Sequence, residues 1–234
     1  MKRFVMMLLS VCLLVSCAGA EPKAETVRSG DCSVPAIAIT VDDCYDRAHI
    51  LAAIELCEKY EIKMTFFPIG KALKYADGPL WQRAIDAGCE IGNHTWGHVN
   101  LTNLTQREIR FQMLRTQQKI DQMLGYHYPM QVIRPPAGKT SGKVAETVAS
   151  VGYRAVVKWN VSQTDAAKAE RAVSNGSILL YHARAKDIRC LEKLIPALLA
   201  RGYECVTVSE LLGFPPVVIS GDIYMYEPEH ALGQ

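Results

Sequence analysis

From residue 35 onward, short apolar runs alternate with amphipathic stretches. Ala36 to Val41 is apolar, partly β-branched and ends on two carboxylates, which predicts a buried strand. His49 to Tyr60 carries Ile50, Leu51, Ile54 and Cys57 at the spacing of one helix face. Lys63 to Phe67 predicts a second strand, closed by Pro68 and Gly70. Leu80 to Ala87 reads as a short helix ended by Gly88, and Glu90 to Gly92 as a third strand. Thr105 to Leu124 predicts a long amphipathic helix, with Thr105 as N-cap, Glu108 completing a capping box and Gly125 as its stop. Val132-Ile133 is a fourth strand running into Pro135-Pro136, and Ser141 to Val151 a helix. Tyr153 to Lys158 and Ser177 to Tyr181 are the fifth and sixth strands, Asp187 to Ala200 a helix, and Tyr203 to Val208 the seventh strand. Ser209 is read as the cap of a last short helix, Glu210 to Leu212.

Strands that alternate with helices predict a parallel α/β fold. Asp42-Asp43, His94, Arg134 and His182 each fall just past a predicted strand end. In parallel α/β folds, sites gather at those carboxyl ends. Four strand ends feeding one constellation suit a barrel better than the crevice of an open sheet. The expected domain spans 34–213 as a single unit of about seven strands. The tail, 214–234, holds Pro215-Pro216 and a weak apolar run, and reads as either an added strand or a loose end.

The first 33 residues follow a different pattern. Met1-Lys2-Arg3 precedes an apolar run from Phe4 to Val15 that is too short to span a bilayer, so 1–16 reads as a secretory signal. Leu14-Val15-Ser16-Cys17 resembles a bacterial lipobox, which makes Cys17 the lipidated first residue of the mature chain. Ala18-Gly19-Ala20 offers an ordinary cleavage site instead, with a soluble product from Glu21. Glu21 to Ser33 is polar, without apolar period, and 17–33 reads as a linker. The expectation is export to the cell surface or periplasm, with membrane contact only through a lipid anchor, or secretion. Apart from Cys12 and Cys17, six cysteines remain, at 32, 44, 57, 89, 190 and 205; none form a CxxC pair, so a thiolate zinc site is not indicated. The 26 Lys and Arg against 24 Asp and Glu give a formal charge of +2, too balanced to suggest nucleic acid as a partner.

Candidate chemistry sits at the strand ends. His94 and His98, four apart, would share one face of a helical turn and reach one cation together. With Asp43 they form a set of two imidazoles and one carboxylate that leaves coordination positions open. Open positions admit water and substrate, which points to hydrolysis: the cation polarises a carbonyl, a carboxylate acts as base and a histidine as acid. Arg134, in the stiff loop Arg134-Pro135-Pro136-Ala137-Gly138, could orient a carboxylate through paired hydrogen bonds.

In this order, Ile39-Thr40-Val41-Asp42-Asp43, His94-Thr95-Trp96-Gly97-His98, Arg134-Pro135-Pro136-Ala137-Gly138 and Leu180-Tyr181-His182 resemble the successive motifs of the NodB-type polysaccharide deacetylases, carbohydrate esterase family 4. Thr65 to Gly70 and Gly202 to Leu212 resemble that family's second strand and final segment. The resemblance implies a distorted (β/α) barrel and a divalent metal, most often zinc, with cobalt, nickel or manganese as alternatives. It implies hydrolysis of N- or O-linked acetyl groups on a glycan such as peptidoglycan or a chitin-like polymer, by a monomer. Carried over by residue, Asp43, His94 and His98 hold the metal, Asp42 is the general base and His182 the general acid. Arg134 orients Asp42, the Ala137 N–H helps stabilise the oxyanion, and Asp165 holds and tunes His182.

The chain departs from the family pattern at several places. Cys44 stands where glycine is usual, and Val41 where phenylalanine is common. Ala137 and Ala166 replace two aromatic residues that wall the substrate groove, removing surface on which a sugar ring could stack. Two other readings keep the metal logic: a glycan-binding surface lipoprotein without catalysis, and an amidohydrolase acting on a small C–N substrate in a closed pocket.

Overall fold

The computed structural model describes residues 23–219. Residues 1–22, which hold the segment read as a secretory signal and Cys17, and residues 220–234 lie outside the described residues. Within them, eight strands and seven α-helices alternate: β1 (Glu25–Val27), β2 (Ala36–Asp43), α1 (Arg47–Tyr60), β3 (Met64–Pro68), α2 (Gly78–Asp86), β4 (Glu90–Ile91), α3 (Gln106–Leu124), β5 (Val132–Ile133), α4 (Gly142–Ser150), β6 (Ala155–Val157), α5 (Ala166–Ala172), β7 (Ile178–His182), α6 (Ala185–Ala200), β8 (Glu204–Cys205) and α7 (Val208–Leu211). All seven predicted strands are present.

Every ladder is parallel. One sheet runs β4-β3-β2-β7, with β8 beside the start of β2, and a second runs β1-β6-β5. Isolated parallel bridges join the two sheets, Asn93 after β4 with Ile133 of β5 and Val161 after β6 with Leu179 of β7. The result is a ring of short strands closed by single bridges, the distorted barrel expected from the motif order. Among the described residues, no helix is long and apolar enough to cross a membrane.

Period-two alternation sorts the core into two sides. On β2, Ile37, Ile39 and Val41 face the helices, in one cluster with Ile54, Leu191 and Leu194. Ala38 faces the interior with Phe67 of β3, Val132 of β5, Ala155 and Val157 of β6 and Ile178 of β7. The same alternation sends Thr40 and Asp42 inward, as the next interior positions of β2 after Ala38. The opposite end is closed by α7, whose Val208 and Leu211 join the interior cluster. Buried Glu90 accepts from the Thr65 hydroxyl and from Ser209, stitching β4 and β3 to α7.

Two expectations change here. Glu25–Val27, inside the segment read as a linker, is a strand in register with Ala155–Val157, and Ala24 and Val27 are buried. The last helix is capped by Thr207, not Ser209. The Thr207 side chain and Glu210 form a capping box, while the Ser209 hydroxyl serves Glu90. Residues 214–219 form no strand; the ring of Phe214 lies under Arg154 and the Pro215 carbonyl accepts from Gln131.

The capping box of α3 is present as predicted, Thr105 Oγ1 accepting from the Glu108 N–H and Glu108 accepting from the Thr105 N–H. Thr105→Ala is expected to lower the urea midpoint by the equivalent of about 1 kcal/mol. An unchanged midpoint would show that the cap contributes nothing to stability.

Candidate metal centre

The parallel ladders place the candidate residues at one mouth. Asp42 is in register with His182 across the β2–β7 ladder, and Asp43 follows it at the end of β2. His94 lies just past β4, and Arg134 just past β5. Asp43 Oδ1 lies 3.5 Å from His94 Nε2 and 3.5 Å from His98 Nε2. One ligand atom from each of the three residues lies within 4.8 Å of the others.

This arrangement fits a divalent cation on its own evidence. Asp43 Oδ1 is buried and has no hydrogen-bond partner, yet two imidazole nitrogens face it. An unpaired buried carboxylate oxygen is costly, and a cation between the three atoms would satisfy it. His94 is set up as a ligand: its Nδ1 lies 2.6 Å from the Arg134 carbonyl, which can only accept. Nδ1 therefore carries the proton, and the Nε2 lone pair is turned toward Asp43. Burial pushes the Asp43 carboxyl up, but the neighbouring His94, His182 and His98 imidazoles outweigh it and leave the acid strengthened. Burial, then His94, lowers the His98 imidazole, which favours the neutral form a metal needs.

The histidine pair does not sit on a helical turn, contrary to the expectation from its spacing. Residues 94–98 form an irregular loop in which Thr95 and His98 adopt left-handed φ of 67° and 55°. The loop's backbone bonds go elsewhere. The carbonyls of Thr95 and Trp96 accept from Gly70 and Lys71, the Thr95 N–H donates to the Asn93 side chain, and the Gly97 N–H to Gln112. Trp96 packs at the rim, beneath the Arg115 guanidinium at 4.1 Å.

Asp42 points into the barrel and is paired with Arg134, whose Nη1 donates to Asp42 Oδ1 at 2.7 Å and to the Thr40 hydroxyl at 2.5 Å. Arg134 is fully buried over the Phe67 ring, and its Nη2 donates to the Lys158 carbonyl at 3.1 Å. The other Asp42 oxygen lies 3.8 Å from His94 Nε2, so the carboxylate reaches the metal site from the side. Ala137 is exposed with φ of 55°. Gly138 beside it has φ of 64°, and a Cβ there would press on Lys158 and Trp159 at 3.2 Å, so the loop needs glycine.

The carboxylate beside His182 is Asp187, which corrects the expectation for Asp165. Asp187, in the first turn of α6, places Oδ2 3.8 Å from His182 Nδ1 and accepts from the His182 N–H at 3.2 Å. Asp187 is buried and its Oδ1 has no hydrogen-bond partner. Asp165 is exposed and caps α5 by accepting from the Lys168 N–H. The sequence reading also missed Arg184, whose guanidinium donates to Asp43 Oδ2 at 3.1 Å. A basic residue two positions after His182 was the available signal.

The Cys44 thiol is buried and donates to the Val41 carbonyl at 3.6 Å. Burial, reinforced by Asp42 and Asp43, pushes it well above the usual thiol range. The thiolate a nucleophile or ligand needs is thus disfavoured, and Cys44 acts as packing.

The family model described as polysaccharide deacetylase matches residues 29–156. The peptidoglycan-N-acetylglucosamine deacetylase PgdA of Listeria monocytogenes is 29% identical over 202 residues, covering 82% of this chain and 40% of that protein, so the chain spans about two fifths of that relative's length. A peptidoglycan-N-acetylglucosamine deacetylase of Bacillus cereus is 30% identical over 192 residues, covering 76% of this chain and 88% of that protein. Among solved structures, a family 4 acetyl xylan esterase from Clostridium thermocellum, in complex with a cobalt ion, matches with a TM-score of 0.65 at 27% identity, covering 76% of this chain and 92% of that one.

Proposed function

The chain belongs to the polysaccharide deacetylase family, and from that premise we propose that it is a metal-dependent hydrolase removing acetyl groups from an envelope or extracellular glycan. The observation that carries this reading is the unpartnered Asp43 Oδ1 facing two imidazoles, with the paired Asp42 carboxylate beside it and His182 on the neighbouring strand. The relatives named as peptidoglycan deacetylases favour an N-acetylated amino sugar as substrate. Zinc suits a site of two imidazoles and one carboxylate, with cobalt, nickel and manganese as competitors.

A divalent cation held by Asp43, His94 and His98 would supply a Lewis acid that polarises the acetyl carbonyl. Asp42 accepts a proton from the attacking water, and its pairing with Arg134 fixes the carboxylate in place. The Ala137 N–H donates to the oxygen that gains charge as the carbonyl carbon becomes tetrahedral. His182 delivers a proton to the departing sugar nitrogen, so that acetate and a free amine leave. Asp187 orients the His182 ring. The site opens to solvent, with the His182 side chain 31% and the Arg184 side chain 59% exposed, which suits a polymer better than an enclosed small molecule.

Asp187→Asn is expected to lower kcat at least about tenfold, as loss of a histidine-orienting carboxylate does elsewhere, while Asp165→Asn stays close to the parent. Steady-state acetate release from both variants decides it, and the reverse ranking would return the orienting role to Asp165. For the proposal as a whole, acetate release from acetylated chito-oligomers and peptidoglycan is measured with and without chelator. Chelator-sensitive release supports it, and no release from either substrate overturns it.

A further inference from the structure

An exposed ring beside the metal ligands goes unused by the deacetylation chemistry. Tyr45 is 59% exposed and lines an open pocket of about 260 Å³ with Asp43, His182, Arg184 and His49. Among the described residues, the other exposed aromatic side chain is Tyr75. Its ring is covered by Lys119, and its hydroxyl donates to Gln122. Among the described residues, no side-chain hydrogen bond or ring contact engages Tyr45.

The backbone presents this ring deliberately. Asp43 and Cys44 adopt consecutive left-handed conformations, φ 68° and 56°, which non-glycine residues hold only where the surrounding structure fixes them. The turn is held by the Cys44 N–H on the Asp42 carbonyl and by the Cys44 thiol on the Val41 carbonyl. On the other side, Asp46 is fixed as the N-cap of α1, accepting from the Ala48 N–H at 2.8 Å. Tyr45 is thus the single residue between two pinned ones. Its backbone is ordered before any ligand arrives, which limits the entropy lost on binding.

The geometry points to Tyr45 as the stacking platform for a pyranose ring of the acetylated glycan, standing in for the aromatic walls absent at Ala137 and Ala166. A pyranose offers an apolar C–H face that an aromatic ring can cover, and hydroxyl groups at its edge. The pocket supplies both complements: the phenol ring for the face, and the Arg184 guanidinium for the edge. The platform adjoins Asp43, so a sugar stacked on it lies beside the cation site. This inference deepens the deacetylase reading and rests on it for the identity of the ligand.

The test is equilibrium binding of a tetramer of β-1,4-linked N-acetylglucosamine, followed by calorimetry, with acetate release measured in parallel. Tyr45→Ala is expected to weaken binding about tenfold, and Tyr45→Phe to restore it, since stacking needs the ring rather than the hydroxyl. Melting temperatures of both variants separate lost stacking from a collapsed turn. Equal binding by the parent and a folded Tyr45→Ala overturns the platform, as does no measurable binding by the parent. If neither preparation releases acetate but binding still depends on the Tyr45 ring, the platform stands and the hydrolytic reading falls.

Discussion

Asp42→Asn is expected to reduce kcat on an acetylated chito-oligomer by about 100- to 10,000-fold, the usual worth of a general base. The amide retains an oxygen that can accept from Arg134, so the loop after β5 keeps its anchor. It can no longer take a proton from water. Metal content is expected to stay at the parent level, because Asp42 approaches His94 at 3.8 Å whereas Asp43 provides the oxygen facing both imidazoles. Measured by acetate release alongside elemental analysis, a variant that keeps full turnover would remove Asp42 from the mechanism. One that loses its metal would place Asp42 among the ligands.

The second large effect concerns stability. Arg134 and Asp42 form an ion pair inside the barrel, with the guanidinium fully buried. Removing one partner of such a pair leaves the other charged in a low-dielectric interior. Arg134→Met is therefore expected to cost about 3–5 kcal/mol, read as a drop in the urea midpoint at constant slope. Adding Asp42→Asn to Arg134→Met should recover part of that loss, because the stranded carboxylate is gone. Strict additivity of the two single losses would show that the pair is not energetically coupled.

Much of this was legible because local pattern and chemistry coincide. The apolar runs at 36–41 and 178–181 become the paired strands β2 and β7, since buried parallel strands need apolar residues on both faces. Thr105, Glu108 and Gly125 frame α3 through short-range hydrogen bonds, which sequence spacing reports directly. Asp43, His94 and His98 converge because each follows a strand of the same parallel ring. What escaped is non-local or weakly patterned. β1 is three residues long and exists only by pairing with β6, about 130 positions away. α5 buries only Ala169 among its seven residues, too little to leave an apolar stripe. The 94–98 turn mimics helical spacing, but its carbonyls are claimed by the loop after β3, a contact no local pattern encodes. Asp187 was overlooked because α6 begins immediately after β7 and folds its first turn back onto His182. Asp165, at the motif position, is drawn instead into capping α5.

The measurement closest to the central claim is acetate release by chelator-stripped protein titrated with zinc, using an N-acetylated glycan oligomer. The account predicts no turnover in the stripped protein. It predicts activity that rises to a plateau at one zinc per chain, and no recovery when the titration is repeated with His94→Ala. Turnover that survives complete stripping, or that the His94→Ala protein regains in full, would contradict it.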